Sequence, residues 1–385
     1  MRTIYLDNNA TTAVLPDVLN EMIPYLKELY GNPSSIYSFG RDLYYKMEYS
    51  REKVASLIGA DPEEIIYTSC GTESDNAAIR SAINSNAEKR HIITTQVEHP
   101  AVLNLVKYLE RKGYRATYLP VDRAGRLDMG AFMDALDDDT AVVSMMYANN
   151  ETGVIFPVEK VGAICRERGI LFHTDAVQAA GKVPIDVKKL SVDMLSISGH
   201  KLHAPKGIGV LYVRKGCKFF PYLLGGHQEH GNRAGTENVA SIIALGKACE
   251  LAIENIEFER TNVARLRDLL EFNLMNKCQD IFINGHDTER LSNTSSISFS
   301  NIDSETVLHR LDKYGIYASA GSACSSGSSE PSHVLRAIGV PETAIHGSLR
   351  FSLSRYTTEE EILTVIDILP EMINELRESS NFCKN

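Results

Sequence analysis

Residues Ala141–Gln178 read AVVSMMYANNETGVIFPVEKVGAICRERGILFHTDAVQ, and the fold is read from this stretch. An apolar run, Ala141–Tyr147, ends in the polar Asn149-Asn-Glu-Thr-Gly153. A helical pattern covers Val158–Arg168. A second short run, Ile170–Thr174, then leads into His173-Thr-Asp-Ala-Val-Gln178. Strand, helix and strand in this order are the unit of an α/β domain with a largely parallel sheet. The alternation extends both ways. Strands are predicted over Glu64–Thr68, His91–Gln96, Ala116–Leu119, Asp193–Ser198 and Ile208–Val213, which makes seven in all. Helices are predicted over Thr72–Ser85, Pro100–Arg111 and Met129–Leu136. Ligands of such sheets bind at the carboxyl ends of the strands, so polar residues there carry the search for a site.

The pattern changes after Gly235. Residues 237–277 look helical over most of their length, with Ile242, Leu245, Ala248, Leu251 and Ala252 at helical spacing. Beyond them come a strand Ser295–Ser300, a helix Glu305–Tyr314, strands Ile316–Ser319 and Leu349–Leu353, and an amphipathic helix Glu359–Leu376 that covers a core or a dimer face. A smaller α+β domain is expected there. Ser319–His333, SAGSACSSGSSEPSH, stands apart, with seven Ser and two Gly in 15 residues around Cys324. Such small polar residues bury too little area to offset their ordering entropy, so a mobile loop is expected.

Composition narrows the class. The chain has 385 residues, 43% hydrophobic and 23% charged, enough for two domains with substantial cores. A net charge of −10 argues against a general binder of nucleic acid or anionic membrane. The most apolar helix candidate, near Ile362–Leu376, is interrupted by Asp367, Pro370 and Glu371, so no bilayer span is expected. The N-terminus lacks a basic region followed by an apolar run, so no secretory signal is expected either. The seven cysteines are scattered, odd in number and without a C-x-x-C, which fits free thiols in a reducing cytosol.

Several strand ends carry chemistry. Ser198-Gly-His-Lys201 follows one strand, and a lysine there is either a salt-bridged loop residue or an amine held to condense with a carbonyl. Lys201 and Lys206 compete for that role. Gly71 and Thr72 open a helix and form either an anion site or an ordinary cap, with Thr72 as the capping residue. His99, Asn150, Asp175 and Gln178 follow three further strands. Each has an ordinary explanation as turn, cap or core group; their coincidence at strand ends of one sheet does not. Cys324, flanked by Ser and Gly, suits a nucleophile that visits two places.

Taken together, these residues resemble the NifS/IscS family of cysteine desulfurases, which are pyridoxal-phosphate (PLP) enzymes of fold type I. The resembling stretches run in the family's order: Tyr5-Leu-Asp-Asn-Asn-Ala-Thr-Thr12, Gly31-Asn-Pro-Ser-Ser35, Thr68-Ser-Cys-Gly-Thr-Glu-Ser-Asp75, Glu98-His-Pro100, Asn149–Gly153, His173–Gln178, Ser198–Lys201, Arg233-Ala-Gly-Thr236, Gly321-Ser-Ala-Cys324 and Leu349-Arg-Phe-Ser-Leu-Ser354. The long Ser-rich loop is similar to that of the NifS and IscS group, not the shorter SufS-like loop. The resemblance implies a large PLP-binding domain over residues 15–257, with a mostly parallel seven-stranded sheet. It also implies a small α+β domain over 1–14 and 258–385 that carries the cysteine loop 319–333.

The resemblance also implies roles. Lys201 binds the PLP aldehyde, and His99 stacks on the ring and acts as acid/base near the substrate thiol. Asp175 pairs with the pyridinium nitrogen, and Gln178 bonds the phenolic oxygen. Gly71, Thr72, Ser198 and His200 hold the phosphate, joined by Thr236 from the neighbouring subunit of a homodimer. Arg350 clamps the substrate carboxylate, with Asn150 nearby, and Cys324 is the nucleophile that takes sulfur from L-cysteine as a persulfide. No resident metal is implied, although Cys324 is able to ligate transiently an iron–sulfur cluster shared with a scaffold. The implied acceptor is an iron–sulfur scaffold protein or a tRNA-thiolation partner, in the cytoplasm, with no direct nucleic-acid or membrane contact. Tyr37, Cys70 and His203 depart from the family pattern. The rivals are a selenocysteine lyase on the same fold and a non-catalytic sulfur-assembly scaffold.

Overall fold

The structure is a computed structural model that describes residues 3–321 and 331–379. Its strands are β1 (Ile4–Tyr5), β2 (Ile65–Thr68), β3 (His91–Thr95), β4 (Arg115–Leu119), β5 (Thr140–Met146), β6 (Leu171–Asp175), β7 (Met194–Ser198), β8 (Gly209–Val213), β9 (Ile281–Asn284), β10 (Thr294–Phe299), β11 (Ile316–Tyr317) and β12 (Ser348–Ser352). The main sheet has seven strands in the order β2-β8-β7-β6-β5-β3-β4. Within it β8 runs against both of its neighbours, and the remaining pairs are parallel. The seven strands are those expected from the apolar runs, with ends shifted by a residue or so.

The sheet is covered on both faces, as parallel sheets require. One core gathers Val143, Met145, Phe172, Leu195 and Ile197 with the helices carrying Val54, Phe132, Val161 and Leu245. The other packs Ile92, Val142, Met194 and Leu211 against Ala78, Ile79, Val102 and Val106. Crossover helices thereby return the chain so that β3, β5, β6 and β7 all end on the same edge. Their following residues, His99, Asn150, Val177 and Lys201, meet there.

A separate core lies under the three-stranded antiparallel sheet β12-β10-β9. It takes in Leu266, Leu270, Ile297, Phe299, Leu349, Phe351, Ile362, Val365 and Leu369, and also Ile4 and Leu6 from the chain start. The final helix, Glu359–Ser379, buries its apolar face in this core and runs through Pro370 without a break. Buried Ile366, Leu369 and Ile373 on either side of the proline offset the hydrogen bond its missing N–H removes. The long helical stretch leading to this core is helical over Val239–Phe258, widens to a π turn at Glu259–Val263, and resumes over Ala264–Lys277. Among the described residues no helix is long and apolar enough to cross a membrane.

The antiparallel strand β8 shapes the site edge. Gly209 pairs with Thr68 on one side and Ser198 on the other. A Cβ on it would stand 2.6 Å from the Cys70 carbonyl carbon and 2.8 Å from Cys70 Cα. Only a bare backbone lets β8 pass this close to the corner where β2 turns into the next helix. Gly209→Ala is expected to destabilise the fold by about 1–3 kcal/mol, the range for forcing a methyl group into a packed position. Chemical denaturation beside wild type measures it.

Candidate active site

One cavity of about 230 Å³ opens at the carboxyl edge of the main sheet. Gly71, Thr72, His99, Asn150, Asp175, Gln178, Ser198, His200, Lys201 and Arg350 all line it. Asn9, Ala10, Cys70 and Asp75 complete its polar wall. Every described residue to which the resemblance gives a role is therefore there except Thr236, which is exposed on a surface loop and does not line this cavity. Cys324 lies outside the described residues. The competition between the two lysines is decided by the fold, because Lys206 is exposed while Lys201 lines the cavity.

Lys201 sits on a short 3-10 turn, Gly199–Lys201, that directly follows β7. Its Nζ donates to the backbone carbonyls of Asn9 and of Ala10, the latter at 2.7 Å. Both acceptors are neutral backbone carbonyls, and the buried Asp175 carboxyl is close enough to feel the Lys201 charge. Asp175 is the last residue of β6, and its Oδ1 accepts the Val177 N–H at 2.9 Å. Burial raises its pKa to about 6, against that hydrogen bond and the Lys201 charge. At neutral pH the carboxylate is ionised.

His99 caps the helix Pro100–Glu110, its Nδ1 accepting the Ala101 N–H at 3.1 Å. Accepting there leaves the proton of the neutral ring on Nε2. Burial, helped by the nearby charges of Lys201 and His333, pushes His99 down to about 4. His200 is likewise pushed down to about 4 by burial and then by Lys201. Both imidazoles are thus neutral near pH 7.

The helix Gly71–Ser85 begins one residue earlier than its pattern suggested, and its cap is Cys70, not Thr72. Extended backbone at Cys70 leaves β2 and enters the helix with no side-chain capping bond. The first N–H groups of such a helix have no intrahelical acceptor and attract an anion. A Cβ at Gly71 would stand 2.7 Å from Val177 Cγ2, so a side chain there would fill the cradle against which the Ser198 side chain lies.

Arg350, on β12, is almost fully buried. Its Nη2 donates to Asp7 Oδ1 at 2.7 Å and its Nη1 to the Asn150 carbonyl at 3.1 Å. Its Nε–H is buried without an acceptor. Two contacts thus aim the guanidinium, and the other three of its five N–H donors, the buried Nε–H among them, are left for a carboxylate. Gln178 donates Nε2–H to the Asn9 carbonyl at 3.0 Å, and an amide nitrogen has a second proton to offer.

Sequence reasoning assigned no role to Asn9, Asp7 or Asp75. Asn9 and Asp7 lie in a quoted stretch but act through partners hundreds of residues away. Asp75 is fully buried beside the cavity, and its Oδ1 lacks a hydrogen-bond partner. Burial first, and then the Asp175 charge, raise its pKa well above the carboxylate range.

The donor set fits an aldehyde cofactor bearing a phosphate and a basic ring nitrogen. There is an amine for the aldehyde, a carboxylate for the ring nitrogen, and a helix start with a serine and a histidine for the anion. A parallel α/β sheet with this set at its carboxyl edge defines a carbonyl-cofactor transferase. The class-V aminotransferase family model matches residues 4–365. A cysteine desulfurase from Nostoc sp. is 58% identical, over 99% of this chain and 96% of that protein. The cysteine desulfurase NifS of Azotobacter vinelandii is 54% identical, over 99% and 95%. Among solved structures, a NifS-like protein superposes with a TM-score of 0.91 at 42% identity, over 97% of this chain and all of that one. The chain belongs to the class-V aminotransferase family, and within it to the NifS/IscS-type cysteine desulfurases. That family implies dependence on PLP.

Glu98, beside His99, gives a test of the site's electrostatics. It is fully buried, with Oε1 accepting from Thr95 Oγ1 at 2.7 Å and the Met146 N–H at 3.0 Å, and Oε2 without a partner. Burial raises its pKa to about 8. A carboxyl raised above its unfolded value contributes stability that is full below the ordinary range and lost as pH rises through the folded value. Between about pH 5 and about pH 8 wild type is expected to lose Tm, and Glu98→Gln, which cannot ionise, to lose less. Equal losses in thermal melts would overturn the assignment.

Proposed function

We propose that this cysteine desulfurase removes sulfur from L-cysteine, releases L-alanine and carries the sulfur as a persulfide on Cys324. The observation that carries the reading is the convergence of Lys201, Asp175, His99 and Arg350 on one cavity from separate segments of the chain. A scaffold without catalysis has no need for all of them.

PLP, when bound, supplies an aldehyde that condenses with amines and a ring that accepts electrons. Lys201 would hold the aldehyde, Asp175 the ring nitrogen and Gln178 the phenolic oxygen, with His99 against the ring. Gly71, Thr72, Ser198 and His200 would hold the phosphate. Arg350, aimed by Asp7 and the Asn150 carbonyl, takes the substrate carboxylate and so orients Cα toward the Lys201 amine. Lys201 Nζ would accept the Cα proton, and His99 would be the acid/base group beside the substrate thiol. The Cys324 thiolate would attack the substrate sulfur, the S–S bond forming as the Cβ–S bond breaks, and the two protons taken from Cα and the thiol would return to Cα and Cβ to give L-alanine.

The active unit is a homodimer in which Thr236 reaches the partner's phosphate site. Its exposed position supports this, as does the tie from Arg233 to Glu73 at 2.9 Å, which fastens the same loop beside the anion cradle. The exposed Ile36, Tyr45 and Leu224 offer an apolar face for the partner. The large domain spans 15–257 and the small one 1–14 with 258–385. The protein works in the cytoplasm and passes its sulfur to an iron–sulfur scaffold or a tRNA-thiolation partner.

Purified protein is expected to be yellow, to be fixed by borohydride, and to make alanine and sulfide from L-cysteine. A colourless protein that binds no PLP would falsify the reading. Lys201→Ala is expected to keep PLP affinity but to lose turnover by about 10²–10⁴-fold, as removal of a positioned base does. Cys324→Ala is expected to keep the colour and the L-cysteine-dependent spectral change, with no persulfide in mass spectra of the trapped protein. Sulfur transfer at wild-type rate in either variant excludes that residue's role.

A further inference from the structure

Behind the cavity lies a second lysine that the roles above do not use. Lys182 is buried, four residues after Gln178. The chain between them makes tight turns, with the Ala180 N–H on the Ala176 carbonyl and the Lys182 N–H on the Ala179 carbonyl. Gly181 takes φ +72°, a left-handed backbone that glycine enters without strain. These turns bring the Lys182 side chain back to Gln178. Its Nζ donates to the Gln178 backbone carbonyl at 3.0 Å and to Gln178 Oε1 at 3.3 Å.

The surroundings leave this ammonium little else. It faces a hollow of about 10 Å³, room for one water at most, shared with Asn8, His203, Glu259 and Arg355. Glu259 opens the π turn of the long helix, and its Oε1 stands 3.8 Å from Arg355 Nη1. His203 is pushed down to about 4 by burial and then by Arg355, so it adds no charge near pH 7. Burial pulls Lys182 down to about 8, with Glu259 opposing and Arg350 assisting, so most of it stays charged at pH 7.

The Gln178 carboxamide is thereby set at both ends. Oε1 meets the Lys182 charge, and Nε2 gives one proton to the Asn9 carbonyl. The second Nε2 proton is the one left for the cavity that Gln178 lines. A cation on the oxygen also draws electron density through the amide and makes its N–H a stronger donor. A buried cation with no such task would only be costly.

We propose that Lys182 is a positioning residue for the cofactor. Through Gln178 it fixes and strengthens the donor that meets the phenolic oxygen, and so favours negative charge on that oxygen. This rests on the reading of PLP as the cofactor and of Gln178 as the group that bonds its phenolic oxygen. Lys182 keeps its own protons and passes on only orientation and polarisation.

The test compares wild type, Lys182→Met, Gln178→Ala and the double variant as full-length protein with PLP and no substrate. Two quantities are read: the pH midpoint of the cofactor's visible absorbance change, and the dissociation constant for PLP. Deprotonation leaves net negative charge on the phenolic oxygen, so a donor and a cation nearby lower the midpoint and their loss raises it. Lys182→Met is expected to raise the midpoint by about half to one pH unit and to weaken PLP binding by about 3- to 10-fold. Gln178→Ala is expected to do both to at least the same extent. The double variant is expected to match Gln178→Ala, because Lys182 acts through the amide. If Lys182→Met does not fold, Lys182→Gln decides in its place. Its side chain is one bond too short to reach Gln178 Oε1, and the same rise is expected. A Lys182→Met midpoint at the wild-type value, beside a raised Gln178→Ala midpoint, overturns the proposal. A further rise in the double variant overturns the route through Gln178. A Gln178→Ala midpoint at the wild-type value overturns the reading of Gln178, and a wild type that binds no PLP overturns the reading of the cofactor itself.

Discussion

Asn9 is the point on which the site depends. Its carbonyl accepts Lys201 Nζ and Gln178 Nε2. Its side chain donates to the Asn150 carbonyl and to Thr294 Oγ1, and accepts from Asn293 Nδ2. Its own N–H donates to Ser352 Oγ. One buried residue near the chain start therefore joins the carboxyl edge of the main sheet to the antiparallel sheet of the second core. Buried polar networks of this kind are costly when incomplete and rigid when complete. Completeness here places the Lys201 amine, the Gln178 amide and the Asn150 turn in one frame.

The charge distribution follows from the same burial. Asp75, Glu98 and Asp175 are buried carboxyls around one cavity. Burial raises both Asp75 and Glu98, Glu98 to about 8, while Asp175, with a backbone N–H and the Lys201 charge to favour ionisation, is raised only to about 6. The imidazoles nearby are held neutral by the same lack of water. The site thus sets the more readily ionised Asp175 where a ring nitrogen needs an anion, beside imidazoles that are neutral near pH 7. The structural thiols are subject to the same effect, since burial pushes Cys165 and Cys249 up to about 12 and leaves them inert.

Much of this was legible because it is local. Apolar runs at period two and helical spacing between them depend only on neighbouring residues, so strands and crossover helices could be read to within a residue or so. The polar ends of β3, β5, β6 and β7 were readable for the same reason. The cap at Cys70 was not, because pairing of β2 with β8 sets the backbone there and overrides the preference of Thr72 for a cap. Whether the last helix covers a core or a dimer face was not legible either, because that depends on where packing places its apolar side.

What the sequence alone determined is the order of elements, the set of strand-end residues with chemistry, and the odd thiol in a Ser-rich segment. What the tertiary structure decided is which of these meet. Lys201 was separated from Lys206 by exposure, and Arg350 gained its aim from Asp7 at the opposite end of the chain. The physical reason is range. Propensity and periodicity act over a few residues, whereas a buried donor must find its acceptor wherever packing places it, and that partner has no signature in the local sequence.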